Sequence, residues 1–552
     1  MLRVGIVLDS YTSSAWVAKV IEDIQSSGFA RLELVILPNH SEQGKSSFLR
    51  KLRERFSLFH LYERWDYQRN KADHDALAPT DVASLLNAVP SISIDFKREG
   101  GSDNIPEDRL AKIRNYDLDV LFRFGSAALH GGIAGVARYG LWSFHYGDSR
   151  TNHSGPPLIW ELVERNPVSG SSLEIFAKSV EGRRIIYQSH SSTDQISLYC
   201  SRNPVYWKTA EFALRCLREV EMRGMDYIQS LSAPSEQETG RGRGDGAPNN
   251  LQMILFMRRY LSRWLQARLA SFQSGPRTRW FIAIRRRNAV HRFDDPSEYM
   301  LMPCSRDRFY ADPFLFEKDG KTFLFFEDFR FAEGRAVISY CEIGSDGSPG
   351  APVEVLRRSF HLSYPFVFEH EGEIYMIPET RGNRRVELYR ATSFPTEWIS
   401  EAVLLNDIHA VDATIQKVQG KFWMFAGVSN GKYSNSDELC LFFADDLKGP
   451  WMPHLANPVL SDVRRARPAG RLFYDEGRLI RPSQDCGKAY GYALVFSEVL
   501  TLNETEYKER QISRLEPGVV EGCVGTHTYN RTEEFEVVDR TLLADTSTME
   551  VQ

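Results

Sequence analysis

No run of about 18 apolar residues, the length a membrane-crossing helix needs, occurs in the 552-residue chain. Cysteine is scarce and scattered. Cys200, Cys216, Cys304, Cys341, Cys440, Cys486 and Cys523 stand far apart, and no two form a Cys-x-x-Cys pair. That spacing argues against a zinc site, so no metal is expected. An odd, dispersed set also fits a reducing compartment. Charge of one sign is missing as well. Lys and Arg number 68 against 73 Asp and Glu, a net charge of −5, so no nucleic-acid partner is expected. The opening Met-Leu-Arg-Val-Gly-Ile-Val-Leu-Asp turns polar too soon for a secretory leader. A cytoplasmic protein is the expectation.

What is present is material for large cores: 42% hydrophobic and 12% aromatic residues. At this length two or three domains are expected. Residues 1–230 alternate buried-strand runs (Val4 to Leu8, Leu32 to Leu37, Leu118 to Phe124) with helical periods such as Trp16, Val17, Val20, Ile21 and Ile24. That rhythm predicts a mainly parallel α/β sheet with ligands at the strand C-terminal ends. Gly131-Gly132-Ile-Ala-Gly135 has the wrong spacing for a dinucleotide loop and reads as a helix start. Residues 231–250, rich in Gly, Ser and Pro, read as a flexible linker. A helix is expected over 251–275, apolar but interrupted by Arg258, Arg259, Arg263 and Arg268. Two roles remain open for its 251–272 stretch: packing between the domains, or peripheral contact with a membrane surface.

From 276 to 546 helical periods vanish and a repeat of ~50 residues emerges. Asp312, Tyr364, Asp412 and Ala469 each begin a copy, and Gly320, Gly372, Gly420 and Gly477 each follow eight residues later. Each copy predicts an inner strand, a tight turn and a second strand. Five blades fit the span, the fifth combining the segment near Trp280 with Gly525-Thr-His-Thr-Tyr529. Phe325, Phe326, Phe366, Trp423 and Phe425 suit either packing or sugar stacking.

In Gly140-Leu-Trp-Ser143-Phe-His145-Tyr-Gly-Asp148 a strand carries a polar residue and a histidine two apart, hence on one face. A histidine there can move protons near neutral pH. With Pro157, Trp160 and Ser169-Gly170, the segment resembles the folate-dependent formyltransferases of the methionyl-tRNA and sugar N-formyltransferase type. The resemblance implies an α/β Rossmann-like formyltransferase domain with His145 as general base. It also puts Ser143 where the family has asparagine and Glu181 where it has aspartate. Asp148 stands ready to compensate. The implied reaction takes a formyl group from 10-formyltetrahydrofolate to an amino sugar.

Ala311-Asp312-Pro313, Ile377-Pro378-Glu379-Thr380, Asp412-Ala413, Arg467-Pro468-Ala469-Gly470 and Gly525-Thr526-His527-Thr528 carry a second resemblance. It is to the five-bladed propellers of arabinanase-type glycoside hydrolases and to the N-terminal propeller of plant glucosamine inositolphosphorylceramide transferases. It implies funnel residues Asp312 and Asp412, with Ala469 where the hydrolases keep their acid. Glu379 and Glu327 are possible replacements, and His527 joins the funnel candidates. The leading expectation is a formyltransferase whose propeller recognises a glycan or nucleotide-sugar acceptor. The alternatives are a glycoside hydrolase or glycosyltransferase-associated propeller with a degenerate first domain, and a non-catalytic glycan-binding protein.

Overall fold

The computed structural model describes residues 1–39, 57–94, 97–99, 102–125, 131–147, 155–177, 183–231, 246–271, 278–288, 292–517 and 522–543. The chain divides into two units, Met1–Arg268 and Leu269–Gln552. Most of the expected linker, residues 232–245, lies outside the described residues.

The first unit is built on seven strands: β1 (Leu2–Val7), β2 (Ala30–Pro38), β3 (Ser91–Ile94), β4 (Val120–Arg123), β5 (Leu141–Tyr146), β6 (Val168–Phe176) and β7 (Arg183–Ser192). They stand in the order β7-β6-β5-β4-β1-β2-β3. The pairs from β5 to β3 are parallel, but β6 runs antiparallel to both β5 and β7. Four of the six pairs are parallel, so the sheet is mainly parallel, as the sequence rhythm predicts, and is mixed only through β6 near one edge. The stretch from Phe176 to Arg183 is too short for a crossover helix, so β7 returns antiparallel.

Four helices dominate this unit: α1 (Ala15–Ser26), α2 (Leu58–Asn70), α3 (Leu198–Arg223) and α4 (Asn250–Ser271). α1 buries Trp16, Val17, Val20, Ile21 and Ile24, the positions its periodicity marks. α3 starts at Ser197, whose Oγ accepts from Cys200 N, and packs against α1 and α2. Gly131–Gly135 forms a single 3₁₀ turn.

The second unit forms five sheets among the described residues, one per blade. Blades one to four begin with inner strands Arg308–Lys318, Ser363–His370, His409–Val418 and Phe473–Asp475. Each inner strand turns through a two-residue hairpin: Asp319-Gly320, Glu371-Gly372, Gln419-Gly420 and Glu476-Gly477. All eight of these residues have positive φ, between 48° and 84°. That is the type I′ turn, which matches the strand twist and explains the repeating glycine. The fifth blade joins Thr278–Arg286 to Phe535–Leu543 along a nine-residue antiparallel register, with Cys523–Gly525 and Tyr529–Arg531 beside them. Phe325, Phe326, Phe366, Trp423 and Phe425 are all at most 3% exposed, so their role is packing and not sugar stacking.

Candidate functional site

The inner strands of the first three blades share one local device. Asp312, Tyr364 and Asp412 adopt φ of 49°, 48° and 54°. The strand register slips at each: between Ala311 and Phe314, Ser363 and Phe366, and Val411 and Thr414. A left-handed residue in a bulge bends the strand and re-aims its side chain. In blade four Gly470 takes the positive φ, at 122°, so the device is displaced by one from Ala469. A Cβ at Gly470 would stand 1.9 Å from Tyr529 O.

These residues carry a polar network through all five blades. Thr528 Oγ1 donates to Asp312 Oδ1 at 2.7 Å, and Asp312 Oδ2 accepts from Tyr364 N at 3.2 Å. The Tyr364 hydroxyl bonds Thr414 Oγ1 at 2.8 Å and accepts from Gly470 N at 2.6 Å. Arg467 Nε donates to Asp412 Oδ2 at 2.6 Å, and Gln484 Nε2 donates to the same oxygen at 3.2 Å. Arg467 Nη2 also lies 3.8 Å from Glu379 Oε2. Exposed Tyr490 covers the Arg467 guanidinium at 5.0 Å.

His527 sits between two carboxylates. Its Nδ1 is 2.6 Å from Asp539 Oδ2 and its Nε2 is 3.3 Å from Asp312 Oδ1. Asp539 also accepts from the backbone N–H groups of His527 and Thr528, and Trp280 packs against the imidazole with tilted rings at 4.0 Å. Asp312, His527 and Asp539 thus offer three ligand atoms within 4.8 Å of one another, a grouping able to hold a metal ion. Their lone pairs are already engaged by Thr528, Tyr364 and one another, so a cation would have to displace these bonds.

Burial sets the proton affinities. It lifts the Asp312 carboxyl to about 6, with His527 pulling the other way and Asp412 and Asp539 adding to the rise. It lifts Glu379 to about 8, helped by the adjacent Asp412 charge and opposed by Arg467. Glu327 rises well above the ordinary range, again through burial first and Asp312 second. For His527 burial opposes protonation, but Asp539 and Asp312 outweigh it and the imidazole holds its proton above the usual value. Both carboxyls are thus raised, and Glu379 holds its proton to a higher pH than Asp312. Two carboxyls with separated proton affinities are the raw material of acid–base chemistry.

Sequence reasoning placed Asp312, Asp412, Glu379 and His527 near a funnel, and the network brings all four together. It missed Asp539, Arg467, Gln484 and Tyr364. Asp539 had a signal, a charge in mid-strand after Val537 and Val538. Such a charge is tolerated only when paired.

In the first unit Ser143 is buried on β5, flanked by Arg123 of β4 and Glu174 of β6. Its strand neighbours Trp142, Phe144 and Tyr146 alternate to the other face, where Phe144 meets Trp16 at 5.1 Å and Tyr146 meets Tyr206 at 4.3 Å. Ser143 and His145 therefore share the opposite face, as their spacing predicts. Glu174 accepts from Ser172 Oγ at 3.1 Å and pairs with Arg183 at 3.4 Å. Burial pushes the Arg123 guanidinium down, against Asp9 and Glu174. Asp148 and Glu181 lie outside the described residues. A cavity of about 990 Å³ between α2 and α3 has Glu63, Asp66, Tyr199 and Arg202 in its wall, and neither Ser143 nor His145.

Fold and network define a class: a five-bladed propeller with a buried carboxylate, arginine and histidine site where the blades meet. Its sequence adds a more particular match. Residues 300–541 fit the family model described as glucosamine inositolphosphorylceramide transferase 1, N-terminal. Glucosamine inositolphosphorylceramide transferase 1 of Oryza sativa subsp. japonica is 36% identical over 227 residues, covering 40% of this chain and 30% of the relative. The Arabidopsis thaliana protein of the same name is 35% identical over 208 residues, covering 37% of this chain and 27% of its own. The match thus spans less than a third of the length of these relatives. Among solved structures, the β-xylosidase RS223 shares 15% identity at a TM-score of 0.31, covering 39% of this chain and 81% of that one. A thermostable family-43 glycoside hydrolase shares 13% at 0.30, covering 37% and 76%.

These matches overturn the expectation of a formyltransferase. The relatives are named glucosamine inositolphosphorylceramide transferases, and none of them bears the name of a formyltransferase. The names of these relatives fit the glycosyltransferase-associated alternative better. The N-terminal unit stands as a mixed α/β sheet. 10-formyltetrahydrofolate and the roles given to His145, Ser143, Asp148 and Glu181 entered through that resemblance alone.

Proposed function

We propose that this chain takes part in glycosyl transfer, and that its propeller recognises a sugar at Asp312, Glu379, Asp412 and His527. An amino sugar or an inositol-bearing glycan is the substrate class this reading favours. The observation that supports it is a coincidence of two facts. All four residues fall inside the matched span, and all four belong to one buried network. Bidentate and charge-assisted donors of this kind suit sugar hydroxyls and amino groups.

Calorimetry of the full chain against glucosamine, N-acetylglucosamine and glucosaminyl-inositol phosphates tests this. Saturable binding is expected, weakened at least about tenfold in Asp412→Asn, since one good charged hydrogen bond is worth that much. His145→Ala should bind as the wild type does. Wild-type silence on every sugar, or equal affinity in Asp412→Asn with an unchanged melting temperature, would sink the proposal.

A second reading, glycoside cleavage, is favoured by one contrast: burial and the nearby Asp412 charge make Glu379 hold its proton to a higher pH than Asp312. Turnover of aryl glycosides, lost in both Glu379→Gln and Asp312→Asn, would establish it.

A further inference from the structure

α2 and α4 lie side by side in the first unit. Asn250 Oδ1 accepts from Leu58 N at 3.0 Å, Tyr62 meets Phe256 at 5.2 Å, and Trp65 meets Tyr260 at 6.0 Å. The contacts advance together along both helices, so the two run parallel. Met253 and Phe256 anchor α4, buried with Phe59, Tyr62, Leu158 and Ile159.

Away from that anchor α4 keeps an apolar face in solvent. Leu251, Ile254, Leu255, Leu261 and Leu265 are 67%, 53%, 46%, 53% and 46% exposed. Steps of three and four run from Leu251 through Ile254, Arg258 and Leu261 to Leu265, and Leu255 lies beside them on the same stripe. On α2, Leu61 and Trp65 remain 53% and 40% exposed. A helix on a soluble protein turns charges, not leucines, to water. On α4 the charge that is present has one sign. Between Asn250 and Ser271 there are four arginines and no acidic residue. Arg258 and Arg259 are exposed, and Arg69 lies over the Trp65 ring at 5.5 Å.

We propose that this face of the first unit docks on an anionic lipid surface. The leucine stripe enters the boundary between headgroups and acyl chains, Trp65 sits at the headgroup level, and Arg258 and Arg259 meet lipid phosphates. Charge complementarity selects this occupant, because a neutral or cationic partner would leave the arginines without counter-charge. Docking through α4 is independent of the propeller's sugar site and stands or falls without it.

Flotation of the full chain with phosphatidylcholine vesicles, with and without phosphatidylserine, tests the assignment. Binding to the anionic vesicles is expected and should weaken with added salt. Leu255→Ser/Leu261→Ser and Arg258→Gln/Arg259→Gln should each reduce it about tenfold or more. All these side chains are exposed, so the variants should melt as the wild type does. Quenching of fluorescence by brominated acyl chains, diminished in Trp65→Phe, reads the same insertion without a change of charge. The proposal is overturned if the wild type stays unbound, if both double variants float unchanged, or if neutral vesicles bind equally well. Self-association abolished by the leucine variants, with no flotation, would assign the stripe to a second copy of the chain and overturn it too.

Discussion

Asp412 and Arg467 belong to different blades, and their 2.6 Å bond is almost wholly out of water, with Asp412 1% exposed. Removing one member of such a pair strands the other. Asp412→Ala should therefore cost about 3–5 kcal/mol in urea denaturation, more than Asp412→Asn, which keeps an acceptor for Arg467. Glu379 makes a different prediction. Lifted to about 8 by burial, it keeps in the folded state a proton that the unfolded chain releases near its ordinary value. Its contribution is full below that ordinary value and drains away as pH rises through about 8. Asp312, lifted to about 6, does the same over a lower window. Glu379→Gln cannot ionise, so its melting temperature should gain on the wild type steadily between about pH 5 and pH 8. A gap that stays constant over that range would contradict the assignment. Little of this was visible in sequence. Asp412 could be read as a funnel residue from its place in a repeat, but its partner Arg467 stands fifty-five residues on, and only blade packing joins them.

At the scale of elements, the glycine of each hairpin turn and the glycine of the blade-four bulge answer to different forces. Gly372 has φ +81°, and a Cβ added there would meet nothing within 4 Å. Gly372→Ala should cost only the left-handed backbone penalty, about 1–2 kcal/mol. Gly470→Ala adds a Cβ 1.9 Å from a backbone carbonyl and should cost considerably more. Comparing their denaturation midpoints tests the ranking, and equal costs would contradict it. The turn glycines were legible because a type I′ turn demands φ > 0 in both central residues. The bulge was not. The repeat aligned Ala469 with Asp312 by counting back eight from Gly477, yet Gly470 occupies the left-handed position. α4 shows the same limit: its existence was legible from apolar spacing, but which face Phe59 and Tyr62 would cover was not.

At the scale of the whole molecule, the propeller ring is shut by pairing Thr278–Arg286 with Phe535–Leu543. Inside that pair Arg285 Nε and Nη2 both reach Glu536 Oε2, at 2.9 and 2.6 Å, with both side chains at most 3% exposed. Glu536→Ala should cost about 3–5 kcal/mol, and truncation before Phe535 should leave no cooperative melting of the second unit. A truncated chain that still melts cooperatively would show that closure is dispensable.

The sequence by itself determined the local periods: the α1 stripe, the alternation that puts Ser143 and His145 on one face, and four hairpin turns at a common spacing. These rest on interactions between near neighbours, and their residue types report them directly. Tertiary structure alone decided the rest. It turned β6 and β7 antiparallel and moved the blade-four bulge to Gly470. It also joined Asp312, His527 and Asp539 across more than two hundred residues and left the leucines of α4 in water. Each of these outcomes depends on which surfaces meet after the chain has folded, a property of packing that no local pattern encodes.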